Sequence, residues 1–292
     1  MLEALKYLIG APGASGYGSK STAEDVTANC RDLSNITAII TGATSGIGEE
    51  TARVLAKRGA RLILPARTYK AAEDTKARIL SECPNANIVV MSLDLSSLSS
   101  VRKFVRDFEN NAGKFSHGHG ITEDGIEMTF ATNYLGHFLL TKLLVKKMVE
   151  TAEETGIQGR IVNVSSSIHS WFTGDLIPYL ELITKNKSEY DATRAYALSK
   201  LANQMKANVT VNCVHPGIVR TRLTRDREGL ITATTCYVAT NSRLEKVSGK
   251  YFADCNETSP SKLGSNSFEA ERLWIVSETM LTQNPKLTDF HL

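Results

Sequence analysis

The sequence predicts an α/β fold built on a doubly wound parallel sheet, and three observations carry that expectation. From residue 36 short apolar runs alternate with helical patterns in the order βαβαβ, which calls for parallel pairing through crossover helices. The strand-like runs are almost continuously apolar, the pattern of strands covered on both faces. A glycine-rich turn joins the first run directly to the first helix.

Taken in order, residues 1–35 read as an irregular N-terminal arm and 36–292 as one domain, with no repeat or linker. Ile36 to Ile40 is the first strand. A helix runs from Gly46 to Arg58 and stops at Gly59, a residue suited to a helix end. Arg61 to Leu64 is the second strand, Lys70 to Ser81 the second helix, and Asn87 to Met91 the third strand. In Val101, Phe104, Val105 and Phe108 the apolar spacing is that of an amphipathic helix. A long helix is expected from about Thr122 to Glu153, then a strand at Arg160 to Val164 and a helix through Tyr196. Strands follow at Val209 to Val214 and Lys250 to Ala253, and a last helix at about Phe268 to Leu281.

Of the 292 residues 42% are apolar and 22% charged, ordinary for a globular chain with a large core. The net charge of +3 is dispersed, which removes any basis for a nucleic-acid partner. No apolar run reaches the ~18 residues of a membrane span. The five cysteines are scattered, without metal-ligand spacing, and point to a reducing compartment and no metal. The sequons at Asn35, Asn208 and Asn256 read as chance. The first 28 residues are rich in Gly, Ser and Ala and poor in acids, which suits a transit-type leader as well as a plain flexible arm.

Thr41 to Gly48 reads TGATSGIG. Gly42 permits the tight turn, Gly46 lets backbone approach a pyrophosphate, and Gly48 allows helix to pack on strand. Thr44, Ser45 and Ile47 complete a loop whose helix N-terminus offers free N–H groups and the positive end of a dipole. Arg67, just past the second strand, stands where an acid would bind the ribose hydroxyls of NAD(H). It can pair instead with a 2′-phosphate, so the reading favours NADP(H) over NAD(H). Asp94, past the third strand, either reaches the adenine amino group or caps the helix after it.

Tyr196 and Lys200 share a helix face four residues apart. An ammonium beside a phenol lowers the phenol pKa from about 10 toward neutrality, which makes Tyr196 a candidate general acid/base. The strand before them ends in Ser165, Ser166 and Ser167 at the carboxyl edge of the sheet. There Ser166 could hold a substrate carbonyl oxygen, with its two neighbours as rivals.

In these motifs the chain resembles the short-chain dehydrogenase/reductase family. TGATSGIG, NNAG at Asn110 to Gly113, NYLGH from Asn133, NVSSS from Asn163, YALSK from Tyr196 and HPGIVRT from His215 appear in family order across about residues 36–255. DGIEMTFATNYLGHFLLTKLL and ATTCYVATN are similar to plant reductases related to retinol dehydrogenases and to the dehydrogenase associated with the chloroplast import translocon. The resemblance implies a Rossmann fold and hydride exchange between a nicotinamide and a lipophilic alcohol or carbonyl. It implies that Tyr196 moves the proton, Lys200 binds the nicotinamide ribose and tunes Tyr196, Ser166 orients the carbonyl, and Asn133 holds a water in the relay. Asn111, Ala112 and Gly113 would line the cofactor, and Pro216, Gly217 and Thr221 would cradle its carboxamide. A compartment in the chloroplast or cytoplasm, with peripheral envelope association, is also in keeping with it.

The chain departs from this family in three places. An apolar fourth strand belongs just before Asn110, beside the first strand, and about ten residues are missing there. Lys103, Arg106 and Asp107 exclude the preceding segment from that role, because they would be charges in a buried strand. The helix after Tyr196 is about three turns short. A substrate-covering helix pair is absent between Thr224 and Ala233. Three internal losses with intact flanks have the form of altered exon joining. The first expectation is therefore an NADP(H)-dependent reductase. The alternative is an impaired splice variant or truncated gene product with only an interaction role. A sugar-nucleotide epimerase fits the glycine spacing poorly.

Overall fold

The computed structural model describes residues 9–110, 121–185, 190–203, 211–216 and 228–282. From the N-terminus the elements are α1 (Ala23–Thr27), β1 (Thr37–Ile39), α2 (Gly46–Lys57), β2 (Arg61–Ala66), α3 (Tyr69–Glu82), β3 (Ile88–Ser92) and α4 (Leu98–Asn110). A short helical turn (Met128–Phe130) and a π-turn (Ala131–Leu135) lead into α5 (Gly136–Thr155). Then come β4 (Ile161–Val164), a 3₁₀ turn (Ser167–Trp171), α6 (Leu176–Thr184) and α7 (Ala192–Ala202). The remaining elements are β5 (Val211–His215), α8 (Glu228–Thr240), β6 (Tyr251–Ala253), β7 (Asn256–Thr258) and α9 (Ser267–Thr282). The chain divides into two compact units.

The first unit takes in Met1–Ser92, Arg160–Ser166 and Thr210–Ser259 and holds every named strand. β1, β2 and β3 pair in parallel, with Ala38 opposite Leu62 and Ile63 opposite Val89. β4, β5 and β6 also pair in parallel, and β7 closes that sheet as an antiparallel hairpin with β6. The expected parallel architecture is therefore present, but as two sheets. Among the described residues no strand joins β1 to β4.

Exposure along the strands reflects this seam. β2 is buried, with Leu62, Ile63 and Leu64 at most 1% exposed. β1 and β4, which the alternation and apolarity led us to expect buried on both faces, are exposed or half-buried throughout. A strand edge sealed in apolar core would leave N–H and C=O groups unpaired, at about 1–3 kcal/mol each. Half-exposed strands can turn such groups toward water. α2 bridges the two sheets: Ala52, Leu55 and Ala56 pack with β1 and β2, while Val54 packs with residues of β4, β5 and α8.

The N-terminal arm is more ordered than its composition suggests. Thr22 and Asp25 form a capping box that starts α1. Ala23 and Val26 enter the core beside Tyr237 and Phe252. The Asn256 amide clasps the arm, accepting from Ser15 N at 2.9 Å and donating to the Tyr17 carbonyl at 3.0 Å. That amide is thereby engaged, in keeping with the chance reading of its sequon.

The second unit comprises Leu93–Gly159, Ser167–Val209 and Pro260–Leu292. Segment 101–108 is helical, as its spacing predicts. Val101, Phe104 and Val105 are buried, Arg106 is exposed, and the half-buried Lys103 and Asp107 pair at 2.6 Å. The long helix begins six residues later than expected, because the buried Glu127 carboxylate caps Thr129 N and Phe130 N, each at 2.8 Å. It is also broken by the π-turn. Ile126, Phe130, Leu135, Leu176, Leu198 and Leu273 are core residues of this unit.

Candidate active site

In the first unit the candidate cofactor residues gather at the carboxyl ends of parallel strands. Past β1, Gly42 (φ 66°) and Gly46 (φ 52°) lie in the left-handed region and face open space, so backbone is bare there. A Cβ on Gly48 would run into the Gly42 carbonyl, which explains the third glycine as close packing. Ser45 is the N-cap of α2 but makes no side-chain capping bond, so the helix N–H groups point outward unclaimed by it. Thr44 and Ile47 are half-buried in the same loop, and Thr51 donates back to the Ile47 carbonyl at 2.7 Å. Arg67 follows β2, is exposed, and has no ion pair among the described residues. Past β1 and β2 stand bare backbone, a helix N-terminus and a guanidinium without an ion pair among the described residues.

Ser165 and Ser166 follow β4, and Ser165 N donates to the Val214 carbonyl at 2.8 Å, extending the β4–β5 ladder. Ser165 is buried, Ser166 half-buried and Ser167 exposed. That ranking leaves Ser166 and Ser167 as the hydroxyls with access to solvent. Pro216 is buried just past β5. Asn111, Ala112, Gly113, Gly217 and Thr221 lie outside the described residues, as do most of the shortened crossover after α7 and the Thr224 region.

In the second unit Asp94 is buried, and its Oδ1 accepts from Ser96 N at 2.9 Å and Ser96 Oγ at 2.6 Å. These bonds close a turn ahead of α4, whose first turn is capped instead by Ser97 Oγ accepting from Ser100 N at 3.1 Å. Asn133 sits in the middle of the π-turn, a distortion often found where a helix serves a site. Its Nδ2 donates to Ser199 Oγ at 3.2 Å, and Ser199 Oγ donates to the Tyr196 carbonyl at 2.8 Å. The structure therefore brings Asn133, Tyr196 and Lys200 together on one packed pair of helices.

Their electrostatics differ from the expectation in one respect. Lys200 Nζ lies over the Tyr196 ring, 5.5 Å from its centroid. Burial holds the Lys200 ammonium down at about 8, and burial raises the Tyr196 hydroxyl above its ordinary value. The expected lowering of Tyr196 is absent because desolvation of the phenolate dominates. His137, one turn past Asn133, is pushed down to about 4 by burial first and then by the Lys200 charge.

Sequence reasoning assigned no role to Ser199, Asn203 or His137. Ser199 and Asn203 follow Tyr196 at i+3 and i+7, a shared face that spacing alone could have marked. His137 lies within the NYLGH motif, but spacing alone does not show how far its ring is desolvated.

The profile of the family described as short chain dehydrogenase matches residues 36–179. The chain is 43% identical to Short-chain dehydrogenase TIC 32 A, chloroplastic, of Brassica napus, over 326 residues covering 97% of this chain and 100% of that one. That alignment is longer than the 292 residues of the chain, so the relative carries segments this chain lacks. It is 37% identical over 281 residues to Retinol dehydrogenase 12 of Homo sapiens, covering 83% of this chain and 85% of the relative. Among solved structures it is similar to a putative uncharacterized protein from Mycobacterium Paratuberculosis, at TM-score 0.71 and 28% identity over 94% of this chain and 100% of that one. It is similar in fold to the Pseudomonas aeruginosa RhlG/NADP active-site complex, at TM-score 0.56 and 18% identity over 76% and 95% of the two chains.

Proposed function

The chain belongs to the short-chain dehydrogenase family, and from that premise we propose that it is an NADP(H)-dependent oxidoreductase acting on a lipophilic alcohol or carbonyl compound. The observation that carries the cofactor choice is Arg67, exposed just past β2 and without an ion pair among the described residues. A 2′-phosphate there would gain a charge-assisted, bidentate contact that a ribose hydroxyl cannot offer. The substrate class follows from the likeness to Retinol dehydrogenase 12, and a chloroplast location from the compartment in the Brassica napus relative's name.

When bound, the nicotinamide supplies or accepts the hydride at the carbonyl carbon. The chain's own residues handle the oxygen and its proton. The half-exposed Tyr196 hydroxyl gives the proton to, or takes it from, the substrate oxygen. Ser166 orients that oxygen by a hydrogen bond. Lys200, with a pKa of about 8, can carry a proton near neutral pH and so restore the Tyr196 hydroxyl. Asn133 holds a single relay water beside Lys200, from which bulk water is kept out.

Fluorescence titration with NADPH and NADH, followed in the same cuvette by decanal as a lipophilic aldehyde, tests this reading. NADPH should bind at least about tenfold more tightly, the preference should vanish in Arg67→Ala, and absorbance at the nicotinamide band should fall on adding decanal. Equal dissociation constants in the unmodified protein would remove the NADP assignment.

The seam between β1 and β4 supports a second reading, a chain impaired in catalysis that keeps only an interaction role. Catalytic geometry tolerates displacements far smaller than one strand spacing of about 4.8 Å. A chain that binds NADPH and never oxidises it would fit that reading.

A further inference from the structure

The π-turn at Asn133 is costly to hold. It spreads five residues over one turn, with Gly136 N donating to the Ala131 carbonyl in place of the usual i, i+4 bond. A helix distorted in this way keeps its shape only when other groups occupy what the regular ladder leaves open. Here α7 supplies them. Asn203 Nδ2 donates to the Asn133 carbonyl at 3.0 Å, and Ser199 Oγ receives the Asn133 side-chain amide. Both residues are buried, Ser199 completely. Asn133 is thus held through both its carbonyl and its side chain, and the two holds come from the helix that carries Tyr196 and Lys200.

We propose that Ser199 and Asn203 are positioning residues, which clamp the π-turn of Asn133 against the Tyr196 and Lys200 face of α7 and keep bulk water from Lys200. Asn203 sits at the C-terminal cap of α7, one turn beyond Lys200, and Ser199 directly precedes Lys200. Release of either bond would let the π-turn relax toward regular helix and swing Asn133 away. The low Lys200 pKa, which burial alone explains, is in keeping with a closed clamp. Several titratable groups lie on the described elements packed around α7, among them the buried Tyr134 of the π-turn, whose hydroxyl bonds Ser277 Oγ. His137 of α5 feels the Lys200 charge, His169 of the 3₁₀ turn accepts from Ser261 N through Nε2, and Glu127 is committed to its cap. Tyr179 of α6 lies against Arg194, and Tyr196 is on α7 itself.

The test follows the protein without cofactor by carbon-13 at the ε position of lysine, the Lys200 signal being assigned by its loss in Lys200→Met. In the unmodified chain Lys200 should titrate near 8. In Asn203→Leu its midpoint should rise by about one unit or more toward the ordinary lysine value, as water enters. Asn203→His, which keeps an N–H donor at the same reach, should return it. Ser199→Ala should give a smaller rise and carries the test should Asn203→Leu not fold. A loss of stability alone would leave the midpoint in place below the melting temperature. An ordinary midpoint in the unmodified chain, an unmoved one in Asn203→Leu or Ser199→Ala, or no return in Asn203→His would each overturn the clamp. Turnover enters only through the reductase reading above, under which Asn203→Leu should lose about tenfold to a hundredfold in kcat with NADPH binding unchanged. A chain with a depressed Lys200 midpoint that turns over nothing would keep the clamp and discard the reductase.

Discussion

His137 is half-buried with its ring Nδ1 sealed from solvent, feels the Lys200 charge, and should show its titration in the stability of the fold. Its folded pKa is about 4 against an ordinary value of 6.5. Between those values the unfolded chain binds one proton more than the folded chain, so stability rises with pH through that window and is lost as pH falls from 6.5 toward 4. Urea unfolding at pH 4.5 and 7.0 should show this difference, and His137→Leu should shrink it. An equal pH difference in the variant would mean that other groups set the slope. The same neighbourhood shows what the sequence could carry at this scale. Tyr196 and Lys200 were legible because four residues make one helical step. The direction of the Tyr196 shift was not, since it depends on how far the ring is desolvated. The partners of Asn133 were hidden for a related reason. A π-turn changes which residues face each other, and apolar spacing says nothing of where one will form.

At the scale of elements the parallel order β1, β2, β3 could be read from the alternation of patterns, and so could the helical character of 101–108. The charges at Lys103, Arg106 and Asp107 excluded a strand there, and in α4 Arg106 is exposed while Lys103 and Asp107 pair with each other. The lack of a strand between β1 and β4 among the described residues was also legible, from the abrupt passage of that helix into Asn110 to Gly113. Which of two outcomes would follow was not. β4 could have moved in beside β1 or left a seam, and the choice turns on how α2 packs against both sheets. The seam is what forms among the described residues. Inserting an apolar segment typical of the family between Glu109 and Asn110 should therefore add a ladder on both sides. At about 1 kcal/mol per net hydrogen bond, several such bonds should raise the melting temperature by several degrees. NADPH-dependent turnover should rise with it. If the unaltered chain already matches the restored one in both assays, the seam is harmless.

At the scale of the whole molecule, composition suggested an arm without order, whereas the structure threads it into the first unit. Its apolar residues are too few to announce a core contribution. What fixes it is distant in sequence: the Asn256 amide, and Glu24 paired with Lys57 at 2.9 Å and Arg53 at 3.0 Å. Long-range pairing of this kind leaves no local pattern. The seam has a last consequence, for the fate of the chain in concentrated solution. Ile36 to Ile40 is a run of β-prone residues with no charge and no proline, and its first paired residue, Thr37, is exposed. Open strand edges recruit strands from other molecules, and an uncharged β-prone run is the kind that stacks into cross-β ribbons. The protein should therefore cloud and bind thioflavin T faster as its concentration rises, and Thr37→Lys, which sets a charge on that edge without touching the core, should slow the process several-fold. Equal lag times for the two chains would place the sticky surface elsewhere.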